Sequence, residues 1–285
     1  MQLQNDKSVR RRVLDLVESV RKNVGGPFYY RGVRDPVADY LGIKVMEKQM
    51  PLDEGQYIPS SPPQIVIDPV INDPDRRNFT FFHEVTHHLI AQDDDLTEFL
   101  NEHAYYHYEK VLERLCNIGA AEFLIPAADV RAAIEREGFE MSAIEALDHV
   151  FQASKPAIAI QFATCAPHQC VVVVCEHGLP HREREQNPLF QPGNARQPYL
   201  FVQYAACSPS FAYSCGRFVV IPSNHLIESA YQERRSLKGR ASIPFVSGKE
   251  WWVDCDAHFY QGKVYAAFNV TSPPSTLQLG FNFTW

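Results

Sequence analysis

The sequence contains no long run of apolar residues. Its longest strongly apolar stretch is VVVVC at residues 171–175, whereas a membrane-spanning helix needs about 18 or more such residues in succession. Residues 1–22 include basic residues but no uninterrupted apolar segment, which a secretion signal requires. We therefore expect a cytoplasmic protein without membrane association.

Internal repeats, low-complexity tracts and paired C-x-x-C motifs are also missing from the sequence. The seven cysteines are scattered through 285 residues and are odd in number, which favours reduced thiols over a disulfide framework. A net charge of -7 argues against general coating of nucleic acid, and we interpret the basic stretches at 9–12 and 233–240 as solvated faces. The composition, 45% hydrophobic and 12% aromatic, is that of an ordinary folded protein.

Hydrophobic periodicity predicts a helical amino-terminal half that contains a small sheet. Gly, Pro and Asp residues separate the elements. The predicted elements are an amphipathic helix over 6–23, a short helix over 35–43, strands at 43–50, 55–60 and 64–69, a helix from Asp73 or Pro74 onward, and a long helix over 102–124.

The carboxy-terminal half changes from helical to β character. Three short helical patterns, at 127–138, 142–152 and 154–165, are typical of a helix-turn-helix arrangement and equally of small helical linkers. After residue 168 the pattern predicts strands at 169–176, 197–205, 216–222, 249–259 and 263–271. Because adjacent strand residues face opposite ways, only one of Trp251 and Trp252 is expected to point inward.

Residues 79–95, FTFFHEVTHHLIAQDDD, concentrate histidine on one predicted helix. His83, Glu84 and His87 form the pattern H-E-x-x-H, in which the two histidines lie one turn apart on one face and can bind one tetrahedral ion. Glu84 then lies beside the ion, where its carboxylate can take a proton from a water molecule there. A catalytic zinc site is predicted; a structural ion or a solvated helix is the alternative.

A catalytic zinc ion needs three protein ligands and one open position. Glu113, on the next long helix, is the candidate third ligand. Asn117 lies four residues later on the same helical face, where it can hold a ligating histidine through its second ring nitrogen.

Other polar clusters of the sequence are candidates for parts of the site. The run HAYYHY at 103–108 offers His103, Tyr105, Tyr106, His107 and Tyr108 as oxyanion donors, although aromatic residues on a helix more often pack. His88 is expected to be exposed or to pack, and the acidic run at 93–95 to be a solvated loop. The cysteines and histidines between 165 and 177 lack zinc spacing, and we interpret them as buried thiols with Cys170 and Cys175 on opposite strand faces.

The motif at 83–87, followed by VLERLCNIGAAEFLIPAADV, resembles the ImmA/IrrE family of zinc metallopeptidases, and most closely its longer IrrE (PprI-like) branch. That resemblance implies zinc bound by His83, His87 and Glu113, with Mn²⁺ as an alternative ion in assays, Glu84 as catalytic base and Asn117 in support. It implies an α+β fold. A mainly helical, zincin-like (gluzincin-like) peptidase domain with a small β-sheet covers 1–127, a helix-turn-helix-like segment covers 128–165, and a GAF-like α/β sensor domain covers 166–285.

The resemblance further implies a site-specific endopeptidase that cleaves a helix-turn-helix transcriptional repressor and so induces a stress response of the DNA-damage type. Single-stranded DNA or a small molecule is the expected activator. The alternative is a non-proteolytic regulator, binding DNA or a signal, that retains a peptidase scaffold. The oligomeric state is not readable from the sequence.

Overall fold

The computed structural model describes residues 6–103, 107–179, 198–213 and 215–270. These residues form an α+β protein that divides into two compact units. The first contains the described residues up to Val130 together with Leu147–Ile158; the second contains Arg131–Ala146 and the described residues from Ala159 onward. The division into three parts after residues 127 and 165 stays a prediction.

Most of the first unit consists of helices around a three-stranded sheet. Its elements are α1 (Asp6–Val24), α2 (Pro36–Leu41), β1 (Lys44–Glu47), β2 (Gly55–Ile58), β3 (Gln64–Ile67), α3 (Pro74–Ala91), α4 (Asp94–His103) and α5 (Tyr108–Leu124). Three short helices follow along the chain, and their residues are divided between the two units: α6 (Ala127–Glu137), α7 (Met141–Asp148) and α8 (Lys155–Cys165).

Helix α3 begins where the sequence favours a helix start. Asp73 caps it, because its side chain accepts hydrogen bonds from the backbone N–H groups of Asp75 and Arg76. Pro74 occupies the first helical position, where the missing N–H has no intrahelical partner in any case. The start of the histidine-bearing helix is therefore fixed by local chemistry.

In the small sheet, β3 is the central strand. It pairs in parallel with β1 and antiparallel with β2, and Ile65, Val66 and Ile67 are buried as expected for a strand with neighbours on both sides. Strand β2 is an edge strand in the order β1-β3-β2. One edge of β2 therefore has no strand partner in this sheet.

The second unit is built on an antiparallel five-stranded sheet in the order β5-β4-β8-β7-β6. Its elements are β4 (Cys170–Gly178), β5 (Tyr199–Cys207), α9 (Leu226–Glu233), β6 (Leu237–Ser242), β7 (Trp252–Tyr260) and β8 (Lys263–Asn269). Trp251 is 5% exposed and stacks on Phe211, whereas Trp252 is 52% exposed, which confirms that only one of the two points inward.

Three stretches differ from the sequence-based expectation. The stretch 216–222 forms no strand but a single bridge between Val220 and Phe201, because Phe218, at φ 68, is in the left-handed region and interrupts extended backbone. The basic stretch 233–240 is almost entirely exposed, as a solvated face should be, but it contains the end of α9 and most of β6, two elements that the sequence pattern did not predict. The long helix expected over 102–124 is described as α4, which ends at His103, and α5, which begins at Tyr108.

The helices of the structure can be compared with the length and hydropathy that a membrane-spanning helix needs. Within the described ranges, none of them combines the length and the apolar character that crossing a bilayer demands.

Candidate metal centre

The two histidines of the motif face each other on α3. His83 and His87 have ring centroids 4.9 Å apart and their Nε2 atoms are 3.2 Å apart. Both side chains are largely buried, at 13% and 17% exposure. The one-turn spacing therefore brings two ring nitrogens to one point near the surface.

Helix α5 brings a carboxylate to the same point. Glu113 has one oxygen 3.2 Å from His83 Nε2 and the other 3.3 Å from His87 Nε2. Its side chain is 55% exposed, so the carboxylate lies on the solvent side of the two rings. Asn117, one turn further along α5, has its Oδ1 3.1 Å from His83 Nδ1.

These contacts create a convergence of lone pairs. The Asn117 oxygen accepts the Nδ1–H of His83, and the neutral ring then presents the lone pair of its Nε2. That lone pair meets His87 Nε2 and a carboxylate oxygen of Glu113 at 3.2 Å. Donors about 2.0–2.1 Å from a tetrahedral zinc ion lie about 3.3 Å from one another. The three donors thus fit a zinc-sized cation.

The close approach of α3 and α5 depends on a glycine. A β-carbon added at Gly119 would lie 2.4 Å from Cγ2 and 2.5 Å from Oγ1 of Thr86. Thr86 is fully buried and donates its hydroxyl to the carbonyl of Phe82, which holds its rotamer in place. Only glycine at position 119 lets the two helices meet at this distance and bring Glu113 to the histidines.

Glu84 lies in a buried position beside the two histidines, at 7% exposure. Burial raises the pKa of its carboxyl to about 7; a hydrogen bond from the backbone N–H of Tyr57 works in the opposite direction, and the nearby Glu113 carboxylate adds to the rise. A β-carbon added at Gly55 would lie 3.1 Å from Oε1 of Glu84. Strand β2 therefore passes directly beside this carboxyl group.

The hydrogen-bond pattern between β2 and β3 explains how a backbone N–H of β2 can donate a hydrogen bond to the side chain of Glu84 on α3. Asp68 donates its N–H to the carbonyl of Glu54, and antiparallel pairs alternate between bonded and non-bonded positions. Gly55 and Tyr57 consequently direct their backbone groups away from β3. The Tyr57 N–H bonds Glu84 from this outer edge.

The thiol of Cys116 was not among the residues that the sequence suggested. One donor atom each from His83, His87 and Cys116 lie within 4.8 Å of one another. Burial raises the pKa of the thiol, and the Glu113 and Glu84 carboxyls add to the rise. Burial also lowers the pKa of His87, as does His83. The spacing of Cys116 three residues after Glu113 was the available signal.

The structure also shows where the other candidate histidines and tyrosines lie. His88 is buried, with its Nδ1 3.3 Å from the Tyr57 hydroxyl, so it packs rather than being exposed. His103 stacks on Phe99 with centroids 4.5 Å apart. His107 precedes α5 as its cap residue and makes no side-chain cap bond. Tyr108 packs against the core around α1 and α5, while Tyr105 and Tyr106 lie outside the described residues.

The acidic run expected to be a solvated loop begins α4 instead. Asp93 is buried, accepts from the N–H of Leu96 and pairs with Arg12 at 2.8 Å. Asp94 and Asp95 occupy the first turn of α4, where negative charge favours a helix.

Five cysteines of the second unit are free thiols: Cys170, Cys175, Cys207, Cys215 and Cys255. Cys175 belongs to the core on the face of Val171 and Val173. Cys170 is separated from it by an odd number of positions, bonds to the Ala163 carbonyl and lies on the other face. The two cysteines therefore lie on opposite faces, as expected.

Comparison with known proteins places this geometry in context. Residues 38–162 match the Peptidase M78 family, IrrE N-terminal-like domain. The radiation response metalloprotease IrrE of Deinococcus radiodurans is 26% identical over 197 residues, covering 68% of this chain and 60% of the relative. The enzyme of the same name from Deinococcus deserti is 29% identical over 196 residues, covering 68% and 67%. The match thus spans about two thirds or less of either relative.

The fold is also similar to that of a solved structure. A Mycobacterium tuberculosis transcriptional regulator superposes with a TM-score of 0.56 at 15% sequence identity, over 92% of this chain and 80% of that one. At this identity the similarity concerns the fold alone.

Proposed function

Because the chain belongs, through residues 38–162, to the ImmA/IrrE family of metallopeptidases, we propose that it is a zinc-dependent, site-specific endopeptidase. One observation carries the proposal. His83, His87 and Glu113 direct three donor atoms to one point at separations of 3.2–3.3 Å, and Glu84 lies beside them. This is the arrangement that peptide hydrolysis by a H-E-x-x-H enzyme needs.

The ligands of the ion are His83 and His87 through Nε2 and Glu113 through its carboxylate. When bound there, zinc supplies a Lewis acid for the peptide carbonyl and for a water molecule. Asn117 fixes the ring of His83 through Nδ1, which keeps the Nε2 lone pair directed at the site. Mn²⁺ can replace zinc in assays.

Glu84 moves the proton. Its carboxylate takes the proton of the attacking water and delivers it to the leaving amine. In the protein without a bound ion, burial disfavours the charged form of Glu84 and raises its pKa to about 7. A cation at the neighbouring ligands favours the carboxylate and lowers that pKa.

The outer edge of β2 is the proposed binding surface for the substrate. Edge strands accept extended peptides as an added strand, and this edge contains the backbone groups of Gly55 and Tyr57 next to Glu84. The absence of a side chain at Gly55 lets the strand pass this close to Thr80 and Glu84. A peptide paired there would have its backbone next to the proton-transferring carboxylate.

The proposed substrate is a helix-turn-helix repressor whose cleavage induces a stress response of the DNA-damage type. In this proposal the segment 128–165 is helix-turn-helix-like, and residues 166–285 form a GAF-like sensor. Single-stranded DNA or a small molecule acts as the activator. The support is the name of the two Deinococcus relatives as radiation response metalloproteases.

A non-proteolytic regulator on a peptidase scaffold is the competing function. Such a regulator would not require a buried carboxyl beside the ligand triad, and Glu84 is such a group. The Glu84→Gln variant distinguishes the two functions. Its amide cannot accept the proton, although all the metal ligands are still present.

The test incubates the full chain, loaded with zinc, with helix-turn-helix repressors from its own genome neighbourhood, with and without single-stranded DNA. We expect cleavage of one repressor at one bond, reduced about 100- to 10,000-fold in Glu84→Gln, with zinc content unchanged. Unaltered target-gene regulation by the Glu84→Gln variant would show that the protein is the regulator instead.

A further inference from the structure

The chain of the second unit reverses its direction where β5 ends. Cys207 is the last residue of that strand. The returning chain then lies along β5, because the N–H of Phe218 donates to the carbonyl of Val202. Cys215 belongs to this returning chain and lies three residues before Phe218. The reversal therefore brings Cys215 back to the end of β5, beside Cys207.

The side chains of Cys207 and Cys215 contact each other at this place. A hydrogen bond joins the two thiol groups, and the backbone N–H of Cys215 donates a second hydrogen bond to the sulfur of Cys207. Both side chains are half-buried and pack against the same hydrophobic core. Two sulfur atoms in such contact need only a short movement to form a disulfide bond, whose length is about 2.05 Å.

These hydrogen bonds make the two thiols unequal. The hydrogen bond from the Cys215 side chain lowers the pKa of Cys207 to about 7; burial opposes this change, and the Cys215 N–H adds to it. The same thiol–thiol hydrogen bond raises the pKa of Cys215, and burial adds to the rise. Because the thiolate is the reactive form of cysteine, Cys207 is the nucleophile of the pair.

Three other thiols of the second unit have the opposite character. Burial raises the pKa of Cys175 and of Cys255, which lie in the core, and it raises the pKa of Cys170 to about 12. Buried cysteines in such surroundings are inert. Cys207 and Cys215 differ from these three in their mutual contact and in their partial exposure.

We propose that Cys207 and Cys215 are a peroxide-sensitive dithiol, which oxidation converts into an intramolecular disulfide and which thiol reductants restore. The thiolate of Cys207 attacks one oxygen of hydrogen peroxide, the O–O bond breaks, and hydroxide leaves and takes up a proton to become water. Cys207 is then a sulfenic acid. The thiol of Cys215 attacks its sulfur, loses its proton and displaces the second hydroxide, which also leaves as water. The two thiols thus lose the two electrons that the peroxide gains.

The disulfide would close a loop that holds aromatic residues of the core. Phe211 and Tyr213 lie between the two cysteines in sequence, and their rings pack on Trp251 with centroids 5.7 and 5.6 Å apart. Oxidation would fix both ends of the segment that holds these rings. The site is therefore an oxidant-responsive element of the second unit, and the proposal does not depend on the metal centre of the first.

The first test needs no variant. The full chain is treated with hydrogen peroxide, denatured, alkylated at its remaining thiols and digested with trypsin, which leaves both cysteines in one peptide, residues 197–217. We expect this peptide to lack alkyl groups, to be lighter than its reduced form by two hydrogen atoms, and to regain two alkylation sites after dithiothreitol. Chymotrypsin, which cuts after Phe211 and Tyr213, should leave pieces that the disulfide still joins.

Cys175 and Cys255 are internal controls in the same digest, and both should be alkylated as in the untreated protein. Alkylation of Cys207 and Cys215 that peroxide does not reduce would overturn the proposal. Its loss without recovery after dithiothreitol, or a disulfide-linked dimer on a non-reducing gel in place of the internal bond, would also overturn it.

The second test assigns the roles within the pair. Cys215→Ser should stop at the sulfenic acid of Cys207, which dimedone traps and mass spectrometry locates. Cys207→Ser should slow the oxidation of Cys215 by at least about tenfold, because no thiolate of lowered pKa remains there. Equal oxidation rates in the wild type and in Cys207→Ser would contradict the assignment of Cys207 as nucleophile.

Discussion

Each of the two units contains a cluster of histidine and carboxylate groups, and the two clusters have nearly equal spacing but opposite electrostatics. In the first, His83, His87 and Glu113 meet at 3.2–3.3 Å. Two ring nitrogens face each other there, and burial lowers the pKa of His87. Both rings direct a nitrogen at the point that the Glu113 carboxylate reaches, so the cluster offers donor atoms to a cation from outside.

In the second unit, one histidine lies between two carboxylates. His258 contacts Asp256 at 3.1 Å through Nε2 and Glu145 at 3.2 Å through Nδ1. The contact with Asp256 raises the pKa of His258; burial opposes this and Glu145 reinforces it. When the ring of His258 is protonated, it is itself the cation of this cluster. Similar residues at similar distances therefore form the proposed metal site in one unit and an internal ion-pair network in the other.

The largest expected difference between the two clusters comes from replacing the glutamate of each one by glutamine. Glu113→Gln removes a charged ligand, and we expect zinc affinity to fall about 100-fold or more, since losing even an outer partner costs about 10–100-fold. Peptide hydrolysis should fall with it. Glu145→Gln is the control and should leave both quantities unchanged; equal zinc affinities in the two variants would remove the distinction between the clusters.

The geometry of the first cluster depends on the contact between Gly119 and Thr86. Gly119→Ala would place a methyl group 2.4 Å from Thr86 Cγ2, and we expect a loss of about 2 kcal/mol in unfolding free energy, although alanine favours a helix over glycine. Zinc affinity should fall as the helices separate. Gly239→Ala is the control, because its nearest neighbour is Leu226 Cδ1 at 3.6 Å, an ordinary contact. Denaturant titration with and without zinc measures both effects.

Asn117 orients the ring of His83 in the first cluster. The second cluster has no need of such a residue, because both ring nitrogens of His258 already contact carboxylates. Asn117→Ala should weaken zinc binding about 10-fold or more, because His83 loses the acceptor for its Nδ1–H. Asn117→Asp keeps an acceptor and should remain close to the wild type. Equal zinc affinity in all three proteins, measured by competition with a chelator, would show that Asn117 does not orient the ring.

The second cluster should make stability depend on pH. The pKa of His258 is raised in the folded protein, so its contribution is complete below its ordinary pKa, near 6.5, and is lost as the pH rises through the folded value. For Asp256, burial raises the pKa, but the ion-pair contact with His258 and the hydrogen bond from the Met141 N–H outweigh it and lower the net value. That contribution is present above the ordinary pKa, near 3.9, and is lost as the pH falls through the folded value.

We expect His258→Gln to destabilise the protein by about 1–2 kcal/mol at pH 6 and by less at pH 9. Thermal unfolding of both proteins across this range measures the difference. A difference that stays constant with pH would contradict the ion-pair description of the second cluster.

Much of this site could be predicted from sequence because its signals are local. The spacing of His83 and His87, the Asp73–Pro74 helix start and the alternation of the strands depend on neighbours in the chain. The contact of Gly55 with Glu84 could not be predicted, because it depends on which face of β2 packs against α3.

Two further features escaped prediction for physical reasons. The left-handed φ of Phe218 interrupts a stretch whose β-branched composition favours a strand. The second ion-pair cluster joins Glu145 on α7 to Asp256 and His258 on β7, more than a hundred residues away in sequence. Only the packed structure brings such groups together.

The most direct test of the central claim is the number of zinc ions bound per chain, measured by metal analysis after dialysis, for wild type, His83→Ala and His258→Ala. We expect one ion per chain in the wild type and in His258→Ala, and none in His83→Ala. A full equivalent of zinc in His83→Ala, or its loss in His258→Ala, would show that the convergence of donors on α3 and α5 is not the metal site.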